Sequence, residues 1–257
     1  MARVKTLILR APGTNCNVET AFAFEQAGSE TAMAHVNELI RHEKKLSDYQ
    51  ILSIPGGFSY GDDIAAGKVQ ANEMRLRLGD DLQRFIEKGG LVIGICNGFQ
   101  VLAKTGILPR FAPDGSQLMT LTNNDSGKFE CRWVHLKVNP KSPCIFTKGI
   151  ERMYVPVAHG EGKVVADPAT LRKLNVVVTY TDAQGNDNVG YPENPNGAMN
   201  GIAGICDDSG RIFALMPHPE RHIRFTQHPQ WTRLSKPPQH GDGFKVFTNA
   251  VEWVKAL

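Results

Sequence analysis

Leu91-Val92-Ile93-Gly94-Ile95-Cys96-Asn97-Gly98-Phe99-Gln100-Val101-Leu102-Ala103 is the stretch on which the fold turns. It opens as an apolar, strand-favouring run and closes in a helical rhythm, with a cysteine set between Gly94 and Gly98 at the junction. Strand, sharp turn and helix in this order form the layout of a nucleophile elbow of the Gly-x-Ser-x-Gly type, with cysteine in place of serine. Such a turn imposes strained dihedrals on the nucleophile, so the flanking positions have to be small. The helix that follows aims its first N–H groups and the positive end of its dipole at the thiol, which favours the thiolate. A buried structural cysteine at a strand end fits the same pentapeptide, and the rest of the chain has to decide between the two.

Outward from the elbow, the first half alternates strand and helix signals. Strands are predicted over 4–9, 31–36, 50–54 and 91–95, with helices over 18–27, stopping at Gly28, and over 72–88, closed by Gly89-Gly90. This alternation marks an α/β fold with a mainly parallel sheet. Beyond Thr105 the signal changes. Pro109, Pro113 and Gly115 mark irregular chain, and β-branched runs over 133–138, 155–157 and 176–179 read as added antiparallel strands. A hairpin is predicted from 201–206 and 212–216 across Asp207-Asp208-Ser209-Gly210. Phe244, Phe247, Val251 and Val254 give a closing amphipathic helix. The proline- and glutamine-rich stretch 226–243 reads as a surface loop. No repeat or linker composition interrupts the chain, which predicts a single domain over 1–257.

At 257 residues and 41% hydrophobic, the chain can bury a full core. Its net charge of +3 comes from dispersed Lys and Arg, so no strong field exists to gather nucleic acid. No apolar run approaches the roughly 18 residues that span a bilayer, so no membrane role is expected. The apolar part of the N-terminal segment is too short for a signal peptide and reads as the first strand. Cys16, Cys96, Cys131, Cys144 and Cys206 are odd in number, scattered and without a C-x-x-C pair. They predict no disulfide framework, no structural zinc and a reduced, cytoplasmic protein. Apart from Cys96 they read as packing or loop residues. His35, His42, His135, His222, His228 and His240 show no ligand spacing, and no metal site is expected.

A thiolate nucleophile needs a base that later acts as an acid, a group that orients the base, and donors for an oxyanion. Pro217-His218-Pro219-Glu220-Arg221 follows the strand signal Ile212-Phe213-Ala214-Leu215-Met216. Prolines on both sides restrict His218. Glu220, two residues on, can lie on the same side of an extended segment and accept from the far imidazole nitrogen. A surface turn with a solvated glutamate is the alternative. Ile54-Pro55-Gly56-Gly57-Phe58-Ser59-Tyr60-Gly61-Asp62 supplies the third motif: paired glycines after a strand let a backbone N–H face a ligand. In a parallel sheet this loop and the elbow share the carboxyl edge, where such sheets place their sites. Gly57 N–H and Asn97 N–H would then form the oxyanion hole. A phosphate-binding loop is the weaker rival, since neither Gly-x-Gly-x-x-Gly nor Gly-Lys-Ser/Thr is present.

The elbow 94–100, the Pro55-Gly56-Gly57 loop and His218-Pro219-Glu220 together resemble the class I, or triad, glutamine amidotransferases. Pro12-Gly13-Thr14-Asn15-Cys16, Phe129-Glu130-Cys131-Arg132-Trp133, His159-Gly160-Glu161-Gly162 and Tyr191-Pro192-Glu193-Asn194-Pro195-Asn196-Gly197 narrow the resemblance. They are similar to the glutaminase subunits of phosphoribosylformylglycinamidine synthases, over Leu7 to Trp253 and in the same order. The resemblance implies a flavodoxin-like, mainly parallel sheet flanked by helices. It implies Cys96 as nucleophile, His218 as base and acid, and Glu220 as its support. Gln100, Asn124, Ser126, His159 and Gly160 fall at glutamine-contacting positions of the family. Ammonia would pass to a synthetase subunit that uses ATP to convert formylglycinamide ribonucleotide into the amidine, with room for a third small subunit. No ATP-binding loop is present in this chain, so ATP and Mg are expected on the partner and no cofactor here. Ala198 stands where the family more often has serine, and 227–243 lengthens the chain relative to compact members. Two rival functions share the scaffold: a cysteine peptidase or stress-response hydrolase, and a catalytically silent binding subunit.

Overall fold

The computed structural model describes residues 3–110 and 116–257. The expected irregular chain at Pro113 and Gly115 lies outside the described residues. Eleven strands are present among them: β1 Lys5–Arg10, β2 Glu30–His35, β3 Ile51–Ile54, β4 Leu91–Ile95, β5 Met119–Thr122, β6 Glu130–Val138, β7 Arg152–His159, β8 Lys163–Ala166, β9 Asn175–Thr181, β10 Ile202–Cys206 and β11 Ile212–Leu215. Nine of them form one sheet in the order β2-β1-β3-β4-β11-β10-β9-β6-β7, and β5 pairs with β8 separately. The neighbours from β2 to β11 run parallel, and those from β11 to β7 antiparallel. The parallel half has the flavodoxin-like order, which reverses direction between β1 and β3.

The helices are α1 Asn17–Gln26, α2 Val36–Ile40, α3 Lys68–Glu87, α4 Asn97–Thr105, α5 Pro168–Leu171 and α6 Phe244–Lys255. Every residue of β3 and β4 is buried, as central parallel strands covered on both faces require. α3 buries Met74, Leu78, Leu82 and Phe85, one stripe at helical spacing. It begins four residues before the predicted position, because its first turn, Lys68-Val69-Gln70-Ala71, follows the left-handed Gly67 and carries little apolar pattern. α6 buries Phe247 and Val251, while Phe244 and Val254 pack at the core margin. Phe24 of α1 meets Phe247 edge-on at 5.0 Å, tying the two helices together.

The predicted β10–β11 hairpin is present as an antiparallel pair. β6 and β7 are longer than expected, since Glu130 pairs with His159 at a polar end that periodicity does not reveal. α2, α5, β5 and β8 were not foreseen; each is four or five residues long, too short to show a period. Positions 229–240 are largely exposed, as expected of the surface loop, with one short 3-10 turn at Trp231–Arg233. The loop returns where Gly241 and Gly243 donate to Ile223 O and His222 O, directly behind the turn that follows β11.

Candidate active site

Four strand ends of the parallel half converge at the sheet's carboxyl edge, where an open α/β sheet offers a crevice. β4 ends in Cys96, which has φ 52° and ψ −105°, a conformation rarely adopted by a residue with a Cβ. The chain then enters α4 at Asn97. Close packing explains the neighbouring glycines. A Cβ on Gly98 would lie 1.9 Å from Ile54 O, and one on Gly94 2.6 Å from Gly98 O. Gly98→Ala is therefore expected to destabilise the fold by at least about 3 kcal/mol. Urea unfolding checks this, and an unchanged midpoint would mean that β3 and α4 do not press together there.

Cys96 is buried, its N–H donates to Leu215 O at 2.8 Å, and its thiol points toward Ala158 O at 3.6 Å. β11 leads into His218, whose N–H donates to Pro156 O at 2.8 Å. His218 Nδ1 lies 2.6 Å from Glu220 Oε1, and both side chains are essentially without solvent exposure. The expected segment is extended, but Pro219–Arg221 instead forms a 3-10 turn. That turn folds Glu220 back onto the ring, while Pro219 sits at its first position, where no N–H is needed. A solvated glutamate is excluded by this burial. Burial disfavours a charge on His218, but Glu220, followed by Cys96 and Cys16, overrides it and holds the imidazole pKa well above its usual value. His218 Nε2 is buried without a protein partner, leaving it free for the thiol and the substrate.

The loop after β3 completes this edge. A Cβ on Gly56 would fall 2.8 Å from His218 Cε1, 3.0 Å from Cys16 Sγ and 3.4 Å from Cys96 Cβ, so these three side chains border one space. Gly57, at φ 148°, packs so closely on the turn after β1 that a Cβ would lie 2.7 Å from Gly13 O. Asn97 fixes this loop through its side chain. Its Oδ1 accepts from Ser59 N–H at 3.3 Å, and its Nδ2 donates to Asp62 Oδ1 at 3.3 Å and Gln100 Oε1 at 2.9 Å. Burial and the nearby Glu161 push the Asp62 carboxyl up to about 6. Tyr60, Asp62 and Ile64 all have positive φ, so the loop is held in a strained shape by these contacts.

The remaining expected site residues divide into two groups. Gln100 donates to Glu161 O at 2.6 Å while accepting from Asn97, so its amide braces two loops. Asn124 donates to His159 O and Lys128 O and accepts from Gly162 N–H. His159 is buried against Asn124 Oδ1, and burial, reinforced by His218, lowers its pKa to about 3, which keeps it neutral. Ser126 is exposed and donates to Glu130 Oε1, and Gly160 is half-buried beside Phe129. Cys16, Glu161 and Arg221 also line this edge without a site role that sequence alone assigns; the signal for Cys16 is its position in the turn after β1, the strand beside β3, at the same sheet edge.

A family model described as a CobB/CobQ-like glutamine amidotransferase domain matches residues 3–254. A phosphoribosylformylglycinamidine synthase subunit PurQ of Dehalococcoides mccartyi is 60% identical, covering 100% of both chains. The subunit of that name from Pyrococcus furiosus is 35% identical over 98% of this chain and 100% of its own. Among solved structures, a chain of PurLQS from Thermotoga maritima is 33% identical with a TM-score of 0.75, covering 98% of this chain and 100% of that one. End-to-end likeness in sequence and fold, around a cysteine held at a strained elbow, places the chain in the CobB/CobQ-like glutamine amidotransferase family, among the PurQ subunits of phosphoribosylformylglycinamidine synthase.

Proposed function

We infer that the chain is the glutaminase subunit of phosphoribosylformylglycinamidine synthase. It hydrolyses glutamine to glutamate and ammonia and delivers the ammonia to a synthetase subunit, with a small third subunit in the assembly. That partner uses ATP to convert formylglycinamide ribonucleotide into formylglycinamidine ribonucleotide, a step of de novo purine biosynthesis. The observation that carries this reading is the buried His218–Glu220 pair at 2.6 Å, facing the space bordered by Cys96.

In the proposed chemistry, Cys96 attacks the side-chain amide carbon of glutamine as its thiol proton passes to His218 Nε2. Gly57 N–H and Asn97 N–H stabilise the developing oxyanion, and as first residue of α4, Asn97 has no intrahelical acceptor for its N–H. His218 returns the proton to the departing nitrogen, releasing ammonia and leaving a γ-glutamyl thioester. Water, activated by the same imidazole, then frees glutamate and the thiol. The Ser126 hydroxyl and the Gly160 backbone are the groups offered to the substrate. Gln100, Asn124 and His159 shape the pocket through the loops they brace. No cofactor is needed for these steps, and ATP and Mg are assigned to the synthetase. The whole of 1–257 serves as one domain. Free cysteines among the described residues, and no described helix long and apolar enough to cross a membrane, support a cytoplasmic setting.

The strained loop after β3 is the proposed coupling element, because it bears Gly57 and exposes Phe58 and Ile64. Glutaminase turnover by the full chain should rise on adding the synthetase with its nucleotide ligands, measured as glutamate released. An unchanged rate would remove the coupling, and no glutamate release in the full assembly would remove the function.

A further inference from the structure

Cys16 takes no part in the deamidation steps, yet it sits inside the triad. It is buried at the N-cap of α1, where its N–H donates to Gly56 O at 3.1 Å. Its thiol donates to Asn15 Oδ1 at 3.1 Å and accepts from Arg221 Nη2 at 3.0 Å. The ligand-capable atoms of Cys16, His218 and Glu220 lie within 4.8 Å of one another. Two polar atoms of this cluster, His218 Nε2 and Glu220 Oε2, are buried with no hydrogen-bond partner. Cys96 and the His218 ring border the same space at Gly56.

We propose that Cys16 makes the catalytic histidine a reversible site for a soft divalent cation of the zinc class, whose binding switches the glutaminase off. Cys16 Sγ and His218 Nε2 supply two ligands, and the Cys96 thiol turns in as the third. Glu220 keeps its bond to Nδ1, the carboxylate–histidine–metal arrangement that orients an imidazole toward a metal. Neighbouring ligands around tetrahedral zinc stand about 3.3–3.8 Å apart, given bonds of about 2.0–2.3 Å. The cation would draw the Cys16 and His218 side chains together by rotation from an arrangement in which the ligand-capable atoms of Cys16, His218 and Glu220 already lie within 4.8 Å of one another. Each thiol that binds gives its proton to solvent. Charge balances as well: two thiolates and the Glu220 carboxylate offset a divalent cation and the Arg221 guanidinium. Nitrogen and sulfur donors select zinc-like cations over magnesium or calcium.

The test uses the full chain and needs no turnover, so it stands apart from the glutaminase assignment. Co²⁺ titration should produce a thiolate-to-metal charge-transfer band that Zn²⁺ displaces. C16S and C16A should each weaken Zn²⁺ binding by about 100-fold or more, since even outer-sphere groups contribute 10–100-fold. C16S nearly preserves the side-chain volume, so the comparison does not depend on the alanine variant folding. C96A should keep a weaker band that is lost on adding C16S. In the assembled complex, Zn²⁺ inhibition of the parent should reverse with chelator and shift to correspondingly higher Zn²⁺ in C16S. Equal Zn²⁺ affinity in the parent and both Cys16 variants would place the cation on Cys96 alone and overturn the proposal. So would absence of the charge-transfer band in the parent.

Discussion

Cys96→Ala in the assembled synthase is expected to lower glutamine-dependent formation of the amidine by about 10⁴-fold or more, the scale of losing a covalent nucleophile. Added ammonium salts should still support the reaction at the parent's rate, because the synthetase site needs ammonia and not this thiol. The substitution is clean in structural terms. Alanine keeps the Cβ that already occupies φ 52° at the elbow and removes only one sulfur from a buried site. Gly94 and Gly98, which shape the turn, stay in place, so the unfolding midpoint should change little. Glutamate release and amidine formation are measured in parallel, with glutamine and then ammonium as nitrogen source. Glutamine-dependent activity that survives the change would reassign the nucleophile. Loss of both activities would mean that Cys96 holds the assembly together, not only the thioester.

The parallel half of the fold was legible because its elements are long and punctuated. Strands end in Pro12-Gly13, in Pro55-Gly56-Gly57 and at the elbow, and helices stop at Gly28 and Gly89, both of which have positive φ. Beyond the β10–β11 hairpin, the antiparallel wing was legible only at its apolar centre. β6 and β7 extend through Glu130 and His159 because they pair with each other, a relation between distant positions that no local window contains. β5 and β8 exist for the same reason: four residues each, joined in register from Met119↔Ala166 to Thr122↔Lys163.

The site divides along the same line. Cys96, His218 and Glu220 stood out because the proposed nucleophile, base and support each follow a strand signal in a motif with its own chemistry. Cys16 did not, since a lone cysteine after a turn carries no spacing rule, and only the β1–β3 pairing brings it beneath His218. The bracing by Asn97 and Gln100 was equally hidden. Their amides satisfy backbone and carboxylate groups from positions 59, 62 and 161, contacts set by loop conformation and not by sequence period. Asn124 and His159 were read as glutamine contacts. They bond to each other, and Asn124 also accepts from Gly162 N–H, contacts between distant loops that no local window of sequence contains.

Glu220→Gln keeps the shape of the triad and removes its charge, and a loss of about 10²–10⁴ in glutamine-dependent kcat is expected. His218 is buried, and burial by itself opposes the imidazolium; Glu220 is the largest influence raising its pKa. Without that carboxylate the protonated imidazole is disfavoured, so proton transfer from Cys96 stops short of the thiolate–imidazolium pair. The imidazolium then loses its proton at lower pH than in the parent. Labelling of Cys96 by a glutamine-like electrophile should accordingly lose the parent's alkaline reach and be slower at neutral pH. Stability should follow the same sign. A histidine whose folded pKa lies above its unfolded value of about 6.5 contributes stability fully below that pH, and the contribution disappears as pH rises through the folded value. The unfolding midpoint of E220Q should therefore lag the parent most below about pH 6.5, with the gap closing as pH increases. A gap independent of pH would show that Glu220 contributes packing and a neutral hydrogen bond. Labelling at the parent's rate across the pH range would show that Cys96 is activated by a group other than His218.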